Sequence, residues 1–597
     1  MDMGILLSVR TWLKKYPEIA AFLLVFLFQL YWNSKVIIMR SLPDEMGAMS
    51  FAAYISGRNW NAVLSNPSMF YGNGSFFLLY PFFSLIKDPL ILYQHLIGVG
   101  AFLRSIPAII SIFLAKRYFS SVNGYWVYVL IGIGSCLFTP TRATNIDNEP
   151  MLILLVWLTV LLIFQLMTTE NLNKKKFFSL LLAFLFSYAY FSHTRGVIFL
   201  IAFILVAVLY NIFEKKPLIN YKWFIFFTVC FFLIVNFVNN ELKQLLFISM
   251  NTSGEANTLS ALSTGILSNI KQLISFTGIR SFFDLLASNI WVINVFSFGI
   301  IPLIFFGIIF KFFKNKRKIE WNYYPLLFCI FGMLIGLFGV CIFYLHNGLS
   351  VHVDDGNINR FHFYLRYYGN FFGPIFLYFS YIGFRNKRCL FSSYIMSALL
   401  WGIVCLYTYF SVIKVTIVER GYHILTDWFY YFAPFSGVFM DWPNIPQGRK
   451  YFLVSTIVSF CLFSLICLLL YFRKRKIMLF ICVVVMAWYY GYSVHYFDSP
   501  FSKSYNYYQS VDKIYSLEKN DPDFLKNEKV AYINPGSGPQ YLMQFILRDQ
   551  NVNWFKEYDS HLEDDYNIFI SNYKIENIND YKEYCLDDNE YIYVKEK

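Results

Sequence analysis

Residues 18–49 read EIAAFLLVFLFQLYWNSKVIIMRSLPDEMGAM. The stretch 18–38 is almost wholly apolar, and about 20 such residues cross a bilayer as a helix. Just beyond it, Asp44 and Glu45 stand side by side. An apolar-periodic stretch, residues 46–60, follows and reads as a helix lying along the membrane surface. This pairing of a span with an acidic pair at its exit sets the question for the whole chain.

The pattern recurs outward. Further apolar runs lie at 90–115, 122–139, 151–168, 177–192, 196–213, 221–239, 286–311, 323–345, 371–384, 390–412, 451–472 and 477–493. With the first, that predicts about thirteen membrane spans. The chain of 597 residues is 57% hydrophobic and only 15% charged, with mean hydropathy +0.48. A soluble protein needs more charge to cover its surface. Disordered, collagen-like and disulfide-scaffold classes are excluded by the same numbers. The expected fold is an all-α polytopic membrane protein with a small extracytoplasmic α/β domain at its C-terminus.

The basic residues show the orientation. Lys14–Lys15, Lys116–Arg117, 174–176, Lys215–Lys216, 314–318, 385–388 and 473–476 fall in alternate connections. Positive clusters mark the cytoplasmic side. The N-terminus is then cytoplasmic, with an uncleaved signal anchor, and the long connections face outward. From Val494 the chain carries 19 acidic and 11 basic residues, whereas the chain as a whole has a net charge of +13. We therefore divide it into a transmembrane domain, 1–493, and a soluble domain, 494–597. Basic residues confined to short clusters between spans do not suit nucleic acid. Of ten cysteines only Cys585 lies in the tail, and no CxxC occurs; neither a disulfide framework nor zinc is expected.

The tail alternates strand and helix signals. KVAYIN at 529–534 reads as a strand, PGSG at 535–538 as a tight turn, and 540–548 as a helix. Residues 567–571 and 591–594 read as further strands. PGSG lacks the fuller pattern of a phosphate-binding loop.

Four outward segments and one span carry chemistry. Asp44 and Glu45 suit a general base or a metal ligand, or equally a helix cap favoured by the helix dipole. TNIDNEP, 144–150, places Asp147 and Glu149 in a short outer turn beside Arg142; a polar turn closed by Pro150 is the plain alternative. SHTRG, 192–196, pins His193 and Arg195 between two spans. Residues 346–370 hold Asp354, Asp355, Arg360, His362 and Arg366, followed by RYYGN. Guanidinium groups match phosphate oxygens in pairs. Arg104 lies inside the second span, where a charge needs a partner or a cavity.

Carboxylates and arginines from separate outer loops suit transfer from a phosphorylated lipid. Nucleotide-activated sugars are absent outside the cell membrane, whereas a lipid-phosphate sugar carries its leaving group through the bilayer. Pro43-Asp44-Glu45, Tyr71-Gly-Asn-Gly74, Lys87-Asp88-Pro89-Leu90, the N-x-D-x-E-P turn ending at Pro150 and His193-Thr-Arg195-Gly196 occur in that order. In these landmarks, over about the first 215 residues and more loosely around Arg366, the chain resembles the type-C glycosyltransferases that use polyprenyl-phosphate-linked sugars.

The basic clusters put the site at the outer face, and a chain rich in Phe, Tyr, Asn and Lys points to a bacterial cell membrane. The resemblance implies an inverting glycosyltransferase. It implies that Asp44 is the catalytic base and Glu45 its neighbour in a diacidic motif. Arg195, His193, Arg360, Arg366, Arg142 and Arg104 would bind the donor phosphate. Asp147 and Glu149 would serve the acceptor or a metal. The adjacent acids depart from a strict Asp-x-Asp pattern, so arginines with or without a divalent cation (magnesium or manganese) remain the two readings. Partners would be the polyprenyl-phosphate-linked donor, a glycan or lipid-linked glycan acceptor of the cell wall or capsule, and membrane lipids. A polysaccharide polymerase or ligase, or a lipid-linked sugar flippase, are the other classes of function.

Overall fold

The structure is a computed structural model, and it describes residues 15–37, 39, 42–61, 63–64, 70, 72–119, 124–140, 145–246, 267–314, 319–345, 360–382, 387–419, 448–495, 516, 529–534, 539–547, 552–576, 578, 580–587 and 590–596. Among the described residues the transmembrane part is built of helices joined by turns. Its helices are α1 (Pro17–Asn33), α2 (Leu42–Ile55), α3 (Phe76–Leu85), α4 (Pro89–Tyr118), α5 (Tyr125–Leu137), α6 (Glu149–Thr168), α7 (Leu172–Ser192) and α8 (Val197–Glu214). There follow α9 (Tyr221–Leu246), α10 (Phe276–Phe296), α11 (Ile300–Lys314), α12 (Tyr324–Phe343), α13 (Phe372–Ile382), α14 (Lys387–Thr408), α15 (Gly448–Tyr471) and α16 (Arg475–Ser493). A π-helical turn, Tyr409–Glu419, extends α14.

This is a multi-pass membrane protein. Among the described residues, nine helices are long and apolar enough to cross a membrane. The remaining expected spans are also helices. Of these, α1, α5 and α13 are shorter, and α7 carries Lys174, Lys175 and Lys176 in its first turns.

Two expectations change. Residues 286–311, read as one span, belong to two helices, α10 and α11. Phe298 and Gly299 between them have φ of +47° and +68°. Two left-handed residues end a helix, and the amide of Gly299 closes it by donating to the Asn294 carbonyl at 2.9 Å. Glycine is required here twice over, since a Cβ would lie 2.4 Å from the Phe463 ring. The second change concerns residues 46–60. The helix starts earlier, at Leu42, so that the acidic pair stands in its first turn. Met46, Ala48, Met49, Ala52 and Ala53 are all buried. Its apolar residues are therefore taken up by packing within the protein.

The C-terminal domain is a five-stranded sheet, β1 (Val530–Ile533), β2 (Val552–Phe555), β3 (Ile568–Ser571), β4 (Tyr581–Asp587) and β5 (Glu590–Lys595), in the order β2-β1-β3-β5-β4. β1 pairs in parallel with β2 and β3, and β5 runs antiparallel to β3 and β4. β1, β3, β5 and helix α17 (Pro539–Ile546) stand where the sequence places them. β2 and β4 lack the clean alternation of a half-buried strand and were not expected. The PGSG turn lies outside the described residues. α17 faces the membrane part, and its Leu542, Phe545 and Ile546 join the main core.

Candidate active site

Five segments bring charge to one place. Asp44 comes from the first turn of α2, Arg104 from within α4, and Asp147 and Glu149 from the turn that opens α6. Arg195 sits in a single 3-10 turn, Thr194–Gly196, between α7 and α8, and Arg366 in another, Leu365–Tyr367.

Arg366 is the hub. Its Nη1 donates to Asp44 Oδ2 at 2.8 Å, its Nε to Glu149 Oε1 at 3.0 Å and its Nη2 to Asp147 Oδ2 at 3.5 Å. The planar fork of guanidinium allows one residue to hold three carboxylates in different directions. Arg195 Nη2 bonds Glu149 Oε1, and its Nη1 donates to the Arg366 carbonyl at 3.0 Å. Its guanidinium also lies over the Tyr367 ring, 4.3 Å from the centroid. Asn370 Nδ2 fills the other oxygen of Glu149 at 3.1 Å. Arg104 Nη2 approaches Asp147 Oδ1 at 4.0 Å.

Exposure differs within the cluster. The Asp44 side chain is 23% exposed, against 6% for Asp147 and 2% for Glu149. Asp44 is therefore the carboxylate open to a second reactant, and the deeper pair is held by arginines. Burial, outweighing the pull of Arg366, pushes the Asp147 carboxyl up to about 6; the neighbouring Glu149 adds to the rise.

Glu45 turns away from this cluster. It is fully buried, and its Oε2 accepts from the Tyr93 hydroxyl at 2.9 Å and the Ile146 amide at 3.1 Å. Adjacent helical residues point about 100° apart, so a pair contiguous in sequence serves two surroundings. Glu45 ties the start of α2 to the turn that carries Asp147.

His193 is buried, and burial together with Arg195 and Arg366 holds its imidazole well below its usual range. A neutral ring accepts at one nitrogen only: His193 Nδ1 takes the Arg195 amide at 3.2 Å and the Arg195 Nε at 3.4 Å. His193 thus orients Arg195. The Gly72 loop packs against the same corner. Gly72 has φ +105°, and a Cβ there would lie 2.5 Å from the carbonyl oxygens of Phe191 and Ser192. Asn148 Nδ2 donates to the Gly72 carbonyl at 2.8 Å, linking that loop to the acidic turn.

Of the residues singled out in the sequence, Asp44, Asp147, Glu149, Arg104, Arg195, His193 and Arg366 come together. Arg142 lies outside the described residues. Arg360 begins a 3-10 turn, Arg360–Phe363, but its side chain also lies outside them. Asn370 was present in the RYYGN segment without a role. Tyr367 stood in the same segment, also without a role, and Tyr93 carried no signal, being an aromatic residue in an aromatic-rich chain.

Comparison with solved structures gives a likeness over nearly the whole chain. The crystal structure of ArnT from Cupriavidus metallidurans bound to undecaprenyl phosphate aligns with TM-score 0.49 and 11% identity, covering 96% of this chain and 97% of that one. ArnT from the same organism in the apo state aligns with TM-score 0.48 and 10% identity, covering 98% of each. No family model and no curated protein matches.

Proposed function

We propose that this protein is a glycosyltransferase of the bacterial cell membrane. It would move a sugar from a polyprenyl-phosphate donor to an acceptor hydroxyl on the outer face, inverting the anomeric carbon. The acceptor class would be a cell-wall or capsular glycan, or its lipid-linked precursor. The observation that carries this reading is the pairing of Asp44, the open carboxylate, with arginines anchored on buried carboxylates.

The chemistry follows from the positions. The acceptor hydroxyl gives its proton to Asp44 as its oxygen bonds to the anomeric carbon. The bond from that carbon to the phosphate oxygen breaks, and its electron pair leaves with the polyprenyl phosphate. Arg366 already spans Asp44 and the deeper acids, so it sits where base and leaving group must meet. Arg195, aimed by His193 and Glu149, supplies a second guanidinium. Preorganised donors of this kind stabilise developing charge without reorganising at the moment of reaction.

A divalent cation fits the donor set poorly. Asp44, Asp147 and Glu149 already share the Arg366 guanidinium, and among the described residues no group of three or more metal-binding side chains is arranged for an ion. No step here is routed through a metal.

The test is transfer by purified full-length protein in nanodiscs. It uses a panel of undecaprenyl-phosphate-linked pentoses and hexoses, with bacterial membrane extract as acceptor and release of undecaprenyl phosphate as readout. Release that needs both the protein and the extract supports the reading. No release from any donor in the panel, by protein that binds undecaprenyl phosphate, contradicts it.

A further inference from the structure

Asp44 depends on groups that never touch substrate. It shares the first turn of α2 with Glu45, so whatever fixes Glu45 fixes the direction of Asp44. Glu45 is fixed by the Tyr93 hydroxyl and the Ile146 amide. Tyr93 is fully buried, and behind its ring stands Phe545, centroids 6.1 Å apart and edge-on. Phe545 also meets the Trp60 ring at 6.2 Å. It belongs to α17, the helix of the C-terminal domain that packs on α2 and α4.

The contact is reciprocal. While Leu542, Phe545 and Ile546 enter the core of the membrane part, Val63 from the first outer loop enters the core of the sheet, among Val530, Tyr532 and Ile568. Each body closes the other's apolar surface. A domain attached only as a passenger would be expected to bury its own core.

We propose that the C-terminal domain positions the catalytic base, acting through Phe545, Tyr93 and Glu45. This rests on the assignment of Asp44 as the base. Phe545 blocks the Tyr93 ring from retreating, the hydroxyl holds Glu45, and α2 keeps its rotation. Loss of Phe545 lets the ring relax and the first turn of α2 rotate, which moves Asp44 relative to Arg366. A shift of about 1 Å at a reacting group lowers rate by as much as a hundredfold.

The experiment compares Phe545→Ala, Tyr93→Phe and their combination in the same transfer assay. Folding is confirmed by binding of undecaprenyl phosphate, and the exposed Trp554→Ala serves as a reference with unchanged turnover. We expect each single variant to lose about tenfold or more in kcat with the donor KM unchanged. The double variant should fall no lower than the worse single, because both break one chain of contacts. Phe545→Tyr, which keeps the ring, should recover most of the rate.

Wild-type kcat in folded Phe545→Ala and Tyr93→Phe, beside an inactive Asp44→Asn, overturns the positioning role and leaves the base intact. Losses that multiply in the double variant overturn it too. An active Asp44→Asn sinks the base assignment itself. If Phe545→Ala does not fold, Tyr93→Phe removes a single oxygen and carries the test alone.

Discussion

At the scale of single residues, the cluster contains side chains of very different replaceability. Asp44→Asn keeps shape and loses basicity; general-base catalysis contributes roughly 10²- to 10⁴-fold, so turnover should fall by that order while donor lipid still binds. Glu45→Gln should lower turnover less, because the amide oxygen still accepts from Tyr93 and the Ile146 amide. Comparison of the two at matched folded levels checks both. Arg366→Lys should be close to inactive: an ammonium cannot reach three carboxylates in three directions. Breaking a buried ion pair destabilises by about 3–5 kcal/mol, so this variant should also melt earlier, which a thermal unfolding curve will show. The charged members were legible in the sequence because a charge in an apolar chain stands out. Their partners were not. Asn370 reaches Glu149 across 221 positions and Arg366 reaches Asp44 across 322, and no local pattern reports such distances.

At the scale of elements, turns set the site more than spans do. The helices were readable from apolar runs, since length and hydropathy alone define them. The break at Phe298–Gly299 was not, because a run of apolar residues looks continuous whatever its backbone does. The same holds for α2, which packs on α3 and α9 and also on α17 from the far end of the chain. Gly72 offers a test of a turn. An alanine there must adopt φ +105° and meet two carbonyl oxygens at 2.5 Å. Backbone strain of this kind costs about 1–3 kcal/mol. Gly72→Ala should therefore lower the melting temperature, and by displacing Asn148 it should reduce turnover beyond what the loss of folded protein explains. Activity per folded molecule, measured after size-exclusion recovery, separates the two effects.

At the scale of the whole molecule, the arrangement calls for the C-terminal domain and the ion cluster on one side of the membrane. α17 packs directly against the helix that carries Asp44. We expect a reporter active only outside the cytoplasm to be active when fused after Lys597; activity of a cytoplasm-only reporter at that point would reverse the orientation drawn from the basic clusters. Magnesium or manganese should not be needed for turnover, because Arg104, Arg195 and Arg366 together already balance the three carboxylates. Transfer measured in excess EDTA, then after adding each ion, checks this; recovery on adding back either ion would restore the metal to the mechanism.

The charge count of the cluster has a consequence for how the donor enters. Asp44, Asp147 and Glu149 face Arg104, Arg195 and Arg366, three negative against three positive. A phosphodiester brings one more negative charge into a buried, balanced set. The Asp147 carboxyl, pushed up to about 6 by burial, is poised to take up a proton, and the arriving phosphate raises it further. Binding and proton uptake are then one equilibrium. Above pH 6 affinity for the donor should climb as pH falls, by up to tenfold per unit, and level off once the empty site is already protonated. Calorimetry in buffers of different ionisation enthalpy should register a fraction of a proton taken from solution with each donor bound, and Asp147→Asn should abolish it. An acidic membrane surface would then be where this site holds its lipid most tightly.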